Sequence, residues 1–117
     1  MGVTNLQSGT RVDEIADHIY RIHTPIRDVP GGFSFNQFLI VDEQPLLFHS
    51  GPKRLFPLVQ QAIASILPVA KLRFVAFSHF ESDECGALND FLAAAPKAQP
   101  VCSQVAAMVA FSCSRFT

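Results

Sequence analysis

Charge is scarce in this 117-residue sequence. Only 16% of residues are charged, and nine Lys or Arg against ten Asp or Glu leave a net charge of −1. The basic residues are scattered, so no field draws in nucleic acid or an anionic membrane. Tryptophan is absent and tyrosine occurs once, whereas phenylalanine occurs eleven times. The aromatic mass is therefore apolar and suited to packed layers. The three cysteines, Cys85, Cys102 and Cys113, form no C-x-x-C pair, which argues for reduced thiols rather than a disulfide framework. No apolar run is long enough to cross a bilayer. "MGVTNLQSGT" lacks the basic and apolar regions of a signal peptide, and Leu6 stands where a myristoylation motif has Ser or Thr. The expectation is a soluble cytoplasmic protein with no nucleic-acid or membrane partner. Also missing are G-x-S-x-G, a P-loop and a dinucleotide loop, so no catalytic residue is assigned.

What is present is apolar material, 49% of residues, enough for one domain or part of one. Residues 1–11 read as a flexible N-terminus. "HIYRIHT" alternates as a strand over His18–Thr24, ended by Pro25. "FNQFLIVD" and "PLLFHS" read as a hairpin with a connection wider than two residues. In "KRLFPLVQQAIASIL", Leu55, Val59, Ile63 and Ile66 recur at helical spacing, with Pro57 near the start and Pro68 at the end. "KLRFVAFS" is a continuous apolar run, as in a strand buried on both faces. A second helix carries Leu88, Phe91, Leu92 and Ala95 on one side and closes at Pro96. "QPVCS" reads as a short strand, and "QVAAMVAF" as a third helix capped by Ser103, whose stripe Val105, Met108 and Val109 is core or interface. Antiparallel hairpins followed by β-α-β-α units in one sheet predict an α/β (α+β) fold.

"SHFESDECG" (residues 78–86) carries the chemistry. His79, Glu81 and Asp83 alternate just past a strand end. On extended backbone all three leave one face, about 6.5–7 Å per two-residue step. One imidazole and two carboxylates form a nitrogen–oxygen set suited to iron, manganese or zinc. Glu84 and Cys85 either add ligands or lie in a first helical turn, with Ser82 or Asp83 as N-cap. Acidic residues before a helix are common as capping signals. His79 and Glu81 at two-residue spacing are not explained that way.

"SHFESDECGAL" resembles the H-x-E-x-D-H-x-G signature of flavodiiron proteins, the oxygen-binding di-iron branch of the metallo-β-lactamase fold. "FNQFLIVDEQPLLFHSG" is similar to the hairpin that precedes the motif in that superfamily, with His49 where an aspartate usually orients the site. Matched position by position, the resemblance implies that His79 and Glu81 are ligands of one iron and Asp83 of the other. Glu84 stands at a position normally held by histidine and is a fourth candidate. Gly86 matches the glycine of close helix approach, and Cys85 is not a ligand position. The implied fold is the N-terminal half of a metallo-β-lactamase-like αββα sandwich, a partial domain over residues 12–117. The implied cofactor is non-haem iron, a di-iron pair in the family, with zinc or manganese as alternatives. The implied partners are O2 or a small-molecule ligand and an electron-donor protein, and a homodimer is open.

After Asp90 the sequence has no His, Asp or Glu, whereas the family draws further ligands from later segments. Two classes of function therefore stand. One is a metal-binding protein that binds or reduces O2, or a metal-dependent hydrolase on the same ligands. The other is a non-catalytic truncated fragment or interaction module. For His18 and His23, structural roles are the default. His49 is either a partner of the cluster or a histidine satisfied by backbone.

Overall fold

Residue alternation sets the first half of the sheet. In the computed structural model, which describes residues 2–79, 81–104 and 108, the strands Gly2–Asn5 (β1), Thr10–Ala16 (β2), Ile19–Ile26 (β3), Phe33–Ile40 (β4) and Leu46–Phe48 (β5) pair antiparallel in turn. Phe74–Phe77 (β6) and Gln99–Cys102 (β7) then add in parallel, giving one seven-stranded sheet in sequence order. Hairpins followed by parallel crossovers are the predicted arrangement.

Three helices fill the crossovers: Phe56–Ala64 (α1), Ser82–Cys85 (α2) and Leu88–Ala94 (α3). Pro57 sits in the first turn of α1, where its missing N–H costs nothing. Right-handed crossovers running the same way across a sheet put their helices on one face. An edge-to-face contact between Phe56 and Phe91, 4.8 Å between ring centres, joins α1 to α3 there. Val12, Ile22, Leu39, Leu47, Val75 and Phe77 meet Val59, Ile63, Leu88 and Phe91 in one buried cluster. Each such side chain contributes about 1.5–3 kcal/mol on burial. Gln37 lies fully buried among them with neither amide atom hydrogen-bonded. An orphaned polar group of this kind costs about 1–3 kcal/mol, roughly the gain from one buried aliphatic side chain.

The structure departs from the sequence reading in four places. Residues 1–11 were expected to be loose, yet Gly2–Asn5 form β1 against β2. Asn5 Nδ2 donates to Gln61 Oε1 of α1 at 3.0 Å, and hydroxyl contacts run from Ser8 through Thr10 to Thr24 at 2.8 and 2.9 Å. Pro25 does not end β3, which continues to Ile26 and pairs Pro25 with Ser34. The β2–β3 register ends at Arg11–His23, so Pro25 removes no donor from that ladder. His18 is not in the strand but in the preceding turn, at φ 62°. Finally, α2 is capped by extended Glu81 rather than by Ser82 or Asp83, with no side-chain cap bond.

The β4–β5 connection is wider than two residues, as expected, and β6 is buried over Val75–Phe77. The expected third helix lies outside the described residues apart from Gln104 and Met108, and Val105, Val109 and Cys113 lie outside them too.

Candidate metal centre

The ends of β5 and β6 and the start of α2 meet at one edge of the sheet. The β6 run leaves its buried register at Phe77, and the next residues, Ser78 and His79, are exposed. Glu81 is still extended, and the chain turns helical at Ser82. That turn breaks the two-residue alternation, so the side chains sort differently from the extended-backbone expectation. His79, Glu81 and Glu84 each bring one ligand atom within 4.8 Å of the others. Asp83 is exposed and does not belong to that group.

Glu84 is the most tightly held of the three. Its Oε1 accepts the Ser78 N–H at 3.1 Å, the Ser78 hydroxyl at 2.8 Å and the His79 N–H at 2.8 Å. Oε2 lies 3.4 Å from His79 Nδ1, and His49 Nε2 is 3.8 Å from Oε1. Burial pushes the Glu84 carboxyl up. The His79 and Ser78 donors and the His49 charge together outweigh it and leave the carboxyl below its ordinary range. A carboxylate with one oxygen saturated by donors and the other facing an imidazole is preset to offer Oε2 to a cation.

The α2 backbone is fastened from the other side by the turn after β5. Ser50, fully buried, donates its N–H to the Glu84 carbonyl at 2.7 Å. Its single hydroxyl proton is shared between the carbonyls of Gly51 (3.0 Å) and Glu84 (3.3 Å), and its oxygen accepts the Ala87 N–H at 3.1 Å. To make this turn His49 adopts φ 71°, and its N–H donates to the Ala76 carbonyl at 2.7 Å. A non-glycine residue in that region carries strain of order 1–3 kcal/mol, which persists only where its surroundings impose it. Gly86 packs its bare Cα face on the backbone of Pro52 and Lys53, so the close approach is to this turn rather than to a strand.

Cys85 stays out of the cluster. Its Sγ contacts the Glu81 carbonyl at 3.3 Å, and its thiol is pushed up to about 11, by burial first and by the Glu84 and Asp83 charges in addition. It is a partly buried thiol held in its neutral form. A cleft of about 350 Å³ beside it is lined by Lys53, Ser82 and Asn89 and reaches the cluster at Glu81. His18 and His23 stand elsewhere, His23 bonded to Asn36 at 2.8 Å. Sequence reasoning missed Ser50 and Ser78. Serine at a strand end carries no signal of its own, and only the tertiary contact gives it a role.

No curated protein matches this chain by sequence. Solved structures do match in fold. The flavodiiron core of Flv1 from Synechocystis sp. PCC6803 superposes with a TM-score of 0.76 at 20% identity, over 85% of this chain and 27% of that one. Rubredoxin oxygen:oxidoreductase from Desulfovibrio gigas gives 0.79 at 21% identity, over 91% and 29%. A metallo-β-lactamase variant from Cronobacter sakazakii gives 0.69 at 18% identity, over 83% and 36%. The chain thus spans under a third of the first two of these structures, and the likeness establishes a metallo-β-lactamase-like fold. The expected fold class holds. The family model described as ODP family beta lactamase matches residues 33–113, well over half of the sequence, and the chain belongs to that family.

Proposed function

We propose that this chain carries a metal-binding centre of the flavodiiron type, with His79, Glu81 and Glu84 as ligands of one ion. The observation that carries the reading is the convergence of three ligand atoms within 4.8 Å at a strand end. The donor set fits the group: one imidazole and two carboxylates suit iron, manganese or zinc better than a thiophilic ion. Bound iron supplies a Lewis-acid and one-electron redox centre for O2. The chain's own contribution is positioning. Ser78 and the His79 amide hold Glu84 ionised at Oε1 and leave Oε2 to face the ion. Asp83 is proposed as a ligand of a second metal, whose remaining ligands residues 91–117 do not contain. An electron-donor protein and a cytoplasmic, reducing setting complete the proposal. No helix among the described residues is long and apolar enough to cross a membrane.

Asp83 stays outside the group of His79, Glu81 and Glu84, which leaves a second reading, a non-catalytic interaction module. Elemental analysis after purification from iron- and zinc-supplemented cultures decides between them. About one equivalent of metal, lost in the His79→Ala, Glu81→Ala double variant, is the expected result. A metal-free wild-type chain sinks the metal reading, and metal retained by the double variant moves the site elsewhere. For the loaded protein, O2 uptake with a chemical reductant supports the oxygen reading. Turnover of an ester or lactam without O2 uptake supports a hydrolase.

A further inference from the structure

Two residues that depart from the resembled pattern meet in space. His49 stands where the pattern usually has an aspartate, and Glu84 where it usually has a histidine. His49 Nε2 lies 3.8 Å from Glu84 Oε1, and the two side chains are only 21% and 13% exposed. His49 holds this place against its backbone. Its φ of 71° is a conformation that glycine or asparagine adopts with less strain, and it persists only where the surroundings impose it. The imidazole is fixed edge-to-face on Phe48, 4.1 Å between ring centres, and the His49 N–H is bonded to the Ala76 carbonyl. Ring and backbone are thus both committed to one direction, toward Glu84.

The contact is not a hydrogen bond. At 3.8 Å it is too long, and Oε1 already accepts from the Ser78 N–H, the Ser78 hydroxyl and the His79 N–H. Nor is His49 in the group of three ligand atoms. It walls the carboxylate instead. With His79 Nδ1 3.4 Å from Oε2, an imidazole stands on each side of Glu84. We infer that acid and imidazole have exchanged places between positions 49 and 84, and that His49 is a positioning residue that acts on the ion through Glu84. The exchange keeps one carboxylate and one imidazole in the pair, so the acid gained at 84 is the acid given up at 49. An imidazole facing a carboxylate at close range in a partly buried site keeps the carboxylate in place and available to a cation. The effect on the ion rests on the metal reading proposed above, whereas the pairing itself does not.

Two measurements on the full chain test this: melting of the metal-free protein by circular dichroism, and Co2+ titration read in the visible spectrum. His49→Asp alone sets two carboxylates face to face, and Glu84→His alone sets two imidazoles. The two changes together restore a mixed pair. The His49→Asp, Glu84→His double variant should therefore melt above Glu84→His alone. Its loss in Tm should be smaller than the two single losses added, by about 2 °C or more. His49→Asn keeps a residue that tolerates the left-handed backbone and removes the ring. It should weaken Co2+ binding about tenfold, a usual cost of removing a ligand's partner, while the metal-free Tm stays within about 2 °C of wild type. A merely structural role does not give that split. Additive melting losses overturn the exchange, with or without metal. Co2+ affinity of His49→Asn within about twofold of a wild type that binds overturns the positioning role. A wild-type chain that takes up no Co2+ overturns the metal reading and the positioning role with it, and the melting cycle still decides the exchange.

Discussion

Ser50→Ala measures how the turn after β5 holds the cluster helix. The hydroxyl is fully buried and takes part in three contacts, with the carbonyls of Gly51 and Glu84 and with the Ala87 N–H. Three lost contacts suggest a cost of several kcal/mol. The bookkeeping of partners says otherwise. The Glu84 carbonyl keeps the Ser50 N–H at 2.7 Å, and the Gly51 carbonyl keeps the Ala87 N–H at 3.0 Å. No buried donor or acceptor is orphaned, so the desolvation penalty does not arise and only the net worth of the hydroxyl is lost. We expect a destabilisation of about 1 kcal/mol rather than about 3, a fall in Tm of roughly 3–6 °C for a chain of this size. Metal content should be unchanged, since the backbone bond that fixes Glu84 survives. Urea unfolding followed by circular dichroism, with elemental analysis on the same sample, provides the check. A loss above about 3 kcal/mol refutes the reasoning, because it means a buried group had no partner but this hydroxyl. A loss of metal with little loss of stability refutes it as well, by showing that the hydroxyl itself places Glu84.

Much of the second half of the fold was legible because periodicity and burial agreed there. Leu55, Val59 and Ile63 recur at helical spacing, and Val59 and Ile63, with Ala62, are the buried residues of α1. "FVAF" is an unbroken apolar run, and Val75, Ala76 and Phe77 are all buried. The N-terminal edge was not legible. "GVTN" has no apolar stripe, and β1 exists because β2 offers it a ladder and Gln61 a side-chain partner. Pro25 misled for a related reason: a missing donor matters only where a neighbouring strand asks for it, and there β2 has ended. In the cluster, His79 and Glu81 could be read from spacing, since both precede the helix. Asp83 could not, because its face depends on where extended backbone turns helical. Glu84 stood as an open alternative, ligand or first-turn residue, and spacing alone did not decide between them. Its anchoring by Ser50, 34 residues away in sequence, is a tertiary fact with no local trace.

Two further outcomes follow from buried and paired polar groups elsewhere in the sheet. The Gln37 amide makes no hydrogen bond inside the core, so Gln37→Leu, which keeps the volume and removes two polar atoms, should leave stability unchanged or raise it by about 1 kcal/mol. A drop of more than about 2 kcal/mol in urea unfolding shows instead that the amide has a partner such as a buried water. Asp13 gives the pH dependence. Its hydrogen bond from Arg11 lowers the carboxyl below its ordinary value of 3.8, against a small opposing effect of burial and with help from the charges of Arg11 and Arg21. A carboxyl lowered in the folded state contributes stability that is fully present above the unfolded value and is lost as pH falls through the folded one. The wild-type chain should therefore lose stability below about pH 4 more steeply than Asp13→Asn, whose side chain does not titrate. Both residues of the pair are solvent-accessible, so molar salt should shrink the difference between the two profiles. Parallel acid profiles for wild type and variant at low salt sink the assignment, since they mean that Asp13 has the same affinity for a proton whether the chain is folded or not.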